Sequence, residues 1–158
     1  MLVCLAWALA PATGAAQSAE LQPHDGGLHL QTEGTRYWVS GFELESAGPG
    51  LTAVLDELRE REFALGMGRD GYVGPRRGGR NVWFRLRMGE DQSPVPIYAR
   101  GIRELAEQVV GALNARGVIG AYVAPHPGDI DPATGGDLRP TERDTLRLVV
   151  YAASPARD

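Results

Sequence analysis

The order of residue patterns predicts an α+β fold with a small mixed sheet, two packed helices and an extra β-hairpin between the helices. Three observations carry this. Runs with period-two alternation are separated by two segments of helical period. The stretch between those segments is too rich in glycine for a helix. The last two apolar runs are joined by a polar loop that lets them pair antiparallel. The regular strand-helix alternation of a doubly wound parallel sheet is missing from this order.

The length of 158 residues suits one domain with a core of its own. Hydrophobic content of 43% and charged content of 23% are those of a globular protein. All 16 basic residues are arginine, against 20 acidic ones, for a net charge of -4. That balance argues against nucleic acid as a partner, because neutralising phosphates needs a concentrated basic face.

Residues 1–19 carry no charged side chain, "LVCLAWALA" is an apolar core of secretory length, and Gly14, Ala15 and Ala16 before Gln17 supply a small-residue cleavage site. The expectation is a signal peptide over 1–16 and an exported mature chain. Cys4, the single cysteine, leaves with it, so the mature chain is expected to carry no thiol. Residues 17–35 are polar, contain Pro23, Gly26 and Gly27, and read as a linker.

Tyr37, Val39, Phe42 and Leu44 alternate on either side of a break at Gly41 and predict a strand. Leu51, Val54, Leu55 and Leu58 fall at i, i+3, i+4 and i+7 behind Pro49 and Gly50, the apolar stripe of a short helix. Residues 62–66 and the run "NVWFRLRM" predict the two strands of an antiparallel hairpin. In the second, Val82, Phe84, Leu86 and Met88 alternate with Trp83, Arg85 and Arg87. Tyr98, Ile102, Leu105, Val109 and Leu113 form the stripe of a second helix, expected over 98–116, and Gly117 followed by Val118 is the pattern of a Schellman stop. "VIGAYVA" predicts a strand over 118–124, closed by Pro125, and "TLRLVVYAA" puts Leu146, Leu148 and Val150 on one face of the last strand. The domain so defined spans 36–153, with a tail at 154–158.

Gly66, Gly68 and Gly71 have the spacing of a dinucleotide-binding fingerprint, which requires a helix to open at the third glycine. Gly74, Pro75, Gly78 and Gly79 follow at once, so the expectation is a glycine-rich hairpin loop and no cofactor. His126, Asp129, Asp131 and Asp137 share one loop, where alternating carboxylates could face a hard cation. Pro132 interrupts that spacing and no glutamate closes a twelve-residue loop, so a solvated, turn-forming loop without metal is expected. His24 and His29 fall in the linker and no serine occupies a G-x-S-x-G turn, so no enzyme is expected. Arg76, Arg77 and Arg80 stand at the hairpin tip as candidate anion contacts.

A small exported sheet with exposed edges can take up an extended peptide through main-chain hydrogen bonds, with no side-chain motif required. In "YWVSGFELE", "ALNARGVIGAYVAP", "HPGDIDPATGGDLRP" and "TLRLVVYA" the chain resembles the POTRA domain of haemolysin-secretion, two-partner-secretion outer-membrane transporters, whose elements run strand, helix, helix, strand, strand. The resemblance implies a periplasmic domain associated with the outer membrane, placed before a transmembrane β-barrel that is absent from this chain. It implies that the domain receives unfolded secreted polypeptide by β-augmentation, at the edge next to the second helix. On this sequence the implied client contacts are Leu105, Val109, Val118, Gly120, Ala121, Tyr122 and Val123. The alternative is an envelope-scaffolding or adhesion module that binds lipid or glycan through Arg76, Arg77 and Arg80.

Overall fold

A computed structural model of the chain describes residues 34–48, 50–76, 79–87 and 93–152. The expected signal peptide with Cys4, nearly all of the expected linker with His24 and His29, the tail, Arg77 and Met88 lie outside the described residues.

The chain begins with two short strands, β1 (Arg36–Val39) and β2 (Gly41–Ser46), followed by helix α1 (Thr52–Arg59). Four strands lie between the helices: β3 (Glu62–Met67), β4 (Val73–Gly74), β5 (Arg80–Arg85) and β6 (Val95–Tyr98). Helix α2 (Ala99–Asn114) then leads to β7 (Tyr122–Pro125) and β8 (Thr145–Tyr151). The strands form two mixed sheets, one of five strands in the order β1-β6-β4-β3-β5 and one of three in the order β2-β8-β7. The α+β class therefore holds, while the single small sheet expected from the sequence is in fact two.

The division falls at Ser40. Its N–H donates to the Asp144 carbonyl at 3.1 Å and its hydroxyl to Asp144 Oδ1 at 2.7 Å, which pins the chain where it leaves one sheet for the other. Buried positions change parity across this residue, from Tyr37 and Val39 to Phe42 and Leu44. A parity change marks a break in a strand but does not say which sheet each half joins. The predicted hairpin is present as β3 and β5, paired antiparallel from Glu62↔Arg85 to Met67↔Arg80. Between them β4 covers two residues, too few for a period, and β6 contains Pro96, which speaks against a strand in sequence.

Helix α2 forms because its stripe is buried. Ile102, Leu105, Val109 and Leu113 are all inaccessible to solvent, and each such side chain contributes roughly 1.5–3 kcal/mol relative to exposure. Tyr98 is not part of the helix: its backbone is extended, φ -75° and ψ 148°, and it ends β6. Its four-residue spacing to Ile102 matches the stripe, but spacing does not locate a first turn. The other end follows the sequence closely. Gly117 has φ +81°, and the Val118 N–H donates to the Leu113 carbonyl at 3.1 Å, the long bond of a Schellman stop. Helix α2 packs against β3, β4, β6 and β7, and α1 packs against β2 and α2, so one helix serves both sheets. Phe42 of β2 and Phe84 of β5 meet edge to face at 5.2 Å across the same core.

Candidate functional site

Main-chain groups on sheet edges decide where a further strand could dock. On β2 the Leu44 N–H donates to the Leu86 carbonyl at 3.3 Å, and the Leu44 carbonyl accepts from Arg59 Nε and Nη2 at 3.3 and 2.7 Å. On β1 the Trp38 carbonyl accepts from Arg139 Nη2 at 2.9 Å. The other two edges are β5, which pairs with β3 alone among the described strands, and β7, which pairs with β8 alone. The His126 N–H donates to the Arg147 carbonyl at 2.9 Å, so the alternation of an antiparallel ladder turns Tyr122 and Ala124 toward β8 and Val123 and Pro125 outward. At an outward position proline forfeits no ladder bond, which is why Pro125 lies inside this strand instead of ending it.

The structure divides the expected client contacts. Tyr122 and Val123 lie on β7 and Ala121 directly precedes it. Val118 and Gly120 belong to the turn leading into the strand, with Gly120 at φ +76°, so the expected strand over 118–124 is shifted to Tyr122–Pro125. Leu105 and Val109 are 0% exposed within the core, so an incoming chain cannot reach them. In their place the surface offers Tyr122, 39% exposed, stacked on its register partner Tyr151 with centroids 4.6 Å apart and planes 9° from parallel. Burial raises the pKa of both phenols, and for Tyr151 the neighbouring Tyr122 and Glu45 add to it.

The acidic loop after β7 is an anchor. Asp129 is 0% exposed and accepts from the Arg147 N–H at 2.9 Å, from Arg147 Nε and Nη2 at 3.1 and 2.5 Å, and from Arg143 Nη2. Burial alone would raise its pKa, but the Arg147 hydrogen bonds and the charges of Arg147 and Arg143 together hold it below the usual carboxylate range. The solvated loop expected from the sequence is thus not what forms around Asp129. Asp131 bonds within its own turn, to the Ala133 N–H and the Thr134 hydroxyl, and Asp137 pairs with Arg139 at 2.7 Å. His126 Nδ1 accepts from the Gly128 N–H at 3.0 Å. The Tyr37 hydroxyl donates to the Gly135 carbonyl at 2.7 Å and ties the loop to β1; its own pKa is pushed up to about 12 by burial and by Asp137. Among the described residues no three His, Cys, Asp or Glu side chains are grouped to hold a metal ion.

The glycine triplet forms a tight loop. The Gly68 N–H donates to the Tyr72 carbonyl at 2.8 Å, the Gly71 N–H to the Gly68 carbonyl at 3.1 Å, and Gly71 has φ +78°. Strand β4 follows, so no helix opens at the third glycine. In space the loop lies against the start of α2. Gly66, Gly68, Asp70, Tyr72, Tyr98 and Arg100 help to line a cleft of about 640 Å³ there. The Tyr98 hydroxyl donates to Asp70 Oδ2 at 2.8 Å, and that bond lowers the Asp70 pKa and raises the Tyr98 pKa. Arg36 lies 4.3 Å from the centre of the Tyr72 ring and donates to its hydroxyl at 2.9 Å, while Arg100 lies 4.6 Å from that of Tyr98. Arg76 and Arg80, the expected anion contacts, directly flank the lining residues Pro75 and Gly79 in the chain. No local pattern in the sequence links the loop to the start of α2, so nothing there marks Asp70, Tyr98 and Arg100 for this role.

Comparison of the chain with protein-family models, with curated proteins and with solved structures found no match. No helix among the described residues is long and apolar enough to cross a membrane.

Proposed function

We propose that this chain is a periplasmic polypeptide-binding domain of the POTRA kind, belonging to an outer-membrane secretion or assembly system and receiving unfolded client chains by strand addition at β7. The observation that carries this reading is the state of the edge that follows α2: groups on the β1 and β2 edges are taken by Arg139, Arg59 and Leu86, whereas the outward groups of Val123 and Pro125 on β7 have no hydrogen-bond partner among the described residues, and the remaining edge, β5, precedes α2 in the chain. The order β2, α1, α2, β7, β8 is compatible with strand, helix, helix, strand, strand, with β3 to β6 inserted between the helices. Strand β7 also packs beside α2, where the resemblance expects the receiving edge. An extended client bonds to the outward main-chain groups at Val123 and to the Pro125 carbonyl, and its side chains meet the Tyr122–Tyr151 stack. No covalent step is involved.

The test is Ala121→Pro. Ala121 continues the outward alternation of Val123 and Pro125, so the change removes an edge N–H and leaves the β7–β8 pairs in place. Binding of an extended, β-prone peptide is expected to disappear while circular dichroism and thermal unfolding stay close to those of the parent. In the parent chain, the same peptide is expected to shift the amide resonances of Ala121 and Val123. Unchanged peptide binding by the folded variant, or shifts confined to other strands, would remove strand addition at β7 from consideration.

A further inference from the structure

The cleft beside the glycine loop gathers arginines that have no carboxylate partner. Arg59, Arg116 and Arg147 are typical of the arginines elsewhere, each within 4.0 Å of a carboxylate. Among the described residues seven arginines have no such partner; Arg61 and Arg103 lie apart from the cleft, while the other five, Arg36, Arg69, Arg76, Arg80 and Arg100, line it, stack on its tyrosines or adjoin its lining residues in the chain. Among the described residues the carboxylates nearby are Asp70 and Glu104. Both are engaged: Asp70 by the Tyr98 hydroxyl and the Tyr72 N–H, Glu104 by the Arg76 N–H and by Gln108. Five guanidinium groups against two carboxylates leave an excess of three positive charges, in a chain whose net charge is -4.

Arg100 is held for contact. Its side chain rests on the Tyr98 ring beside Gly74 of β4. The Arg100 Nε is buried without a hydrogen-bond partner. Helix α2 begins here with no side-chain cap and no acidic residue in its first turn, so the positive end of its dipole adds to the field.

We propose that this cleft binds a phosphoryl group, gripped by Arg69 and Arg100, with Arg36, Arg76 and Arg80 supplying the surrounding field. A phosphate dianion matches the excess charge better than a single carboxylate, and planar guanidinium groups bond its oxygens in pairs. The volume of about 640 Å³ lies in the range of small-molecule sites, with room for the remainder of a phosphomonoester. That phosphomonoester is either a soluble compound or the headgroup of a lipid.

The experiment uses the full chain, labelled with nitrogen-15 and titrated with glycerol phosphate, and in parallel with phosphatidylcholine vesicles made with and without phosphatidic acid. Glycerol phosphate is expected to shift the amide resonances of Gly68, Asp70, Tyr72 and Arg100. The double variant R69Q/R100Q should weaken binding about tenfold or more, the loss expected for charge-assisted hydrogen bonds. Arg69 is exposed and makes no described side-chain hydrogen bond or ion pair, so Arg69→Gln alone keeps the test open if the double variant does not fold. Vesicle binding that requires phosphatidic acid and is displaced by glycerol phosphate identifies a lipid source, and binding of glycerol phosphate without vesicle binding identifies a soluble one. The proposal is overturned if these amides do not move at about 10 mM glycerol phosphate, tenfold above the ~1 mM scale of weak binding. It is overturned equally if folded variants bind as the parent does.

Discussion

At the scale of residues, Asp129 makes the strictest demand, because a carboxylate removed from water must be matched by donors and charge. Arg147 and Arg143 meet that demand and fasten the loop after β7 to the start of β8. Replacing Asp129 with Asn keeps the size and deletes the charge. Since both arginines retain some contact with solvent, the loss is expected at the lower end of the buried-pair range, about 3 kcal/mol. Urea unfolding reads it as a lowered midpoint with unchanged slope. The folded-state pKa of Asp129 lies below the unfolded value near 3.9, so its contribution is complete above that value and is lost as pH falls through the folded one. The gap between parent and Asp129→Asn should therefore be widest at neutral pH and narrow below about pH 4. A gap of equal size at pH 3 and pH 7 would assign the loss to packing and not to charge.

At the scale of elements, α2 contains two glycines with opposite reasons for being there. A Cβ on Gly101 would lie 3.0 Å from the Gly74 Cα and 3.3 Å from the Val73 carbonyl oxygen, both backbone atoms of β4 that cannot rotate away. A Cβ on Gly111 would meet nothing within 4 Å. Alanine gains about 1 kcal/mol over glycine in a helix interior, and forced overpacking costs roughly 1–3 kcal/mol. Gly111→Ala should therefore raise the thermal midpoint and Gly101→Ala lower it; shifts of the same sign would show that β4 yields to the helix. Both glycines look alike in the sequence, since the apolar stripe and the Schellman stop read the length and buried face of α2 but not what presses on it. The helix starts one residue later than the stripe suggests for a related reason: Tyr98 fits the stripe by spacing while its backbone belongs to β6. Strands β4 and β6 carry no usable period. Pro125 ends a strand in most readings of sequence, and only the register of β7 against β8 shows that it fills an outward slot.

At the scale of the whole molecule, what the sequence conceals is how distant segments meet. Arg76 and Arg80 could be named from local pattern and Tyr122 and Val123 from the resemblance, whereas the glycine-loop cleft assembles only when β1 pairs with β6 and β6 runs into α2, bringing Arg36 to Tyr72 from 36 positions away. The same long-range closure makes the two sheets dependent on each other. Helix α2 packs on strands of both, Phe42 meets Phe84, and the Leu44 N–H bonds the Leu86 carbonyl where β2 passes the end of β5. A shared core of this kind should unfold as one unit. Phe84→Ala removes a buried ring from the five-stranded sheet and is expected to cost about 3–5 kcal/mol, a large share of the roughly 5–15 kcal/mol typical of a domain. Native-state hydrogen exchange can follow Leu65 in β3 and Leu148 and Val150 in β8 separately. If the sheets are one cooperative structure, protection at all three falls by the same free energy, although Leu148 and Val150 lie in the sheet that kept its own side chains. Loss at Leu65 with full protection retained in β8 would instead make the three-stranded sheet, with its open β7 edge, a unit that stands without the insertion between the helices.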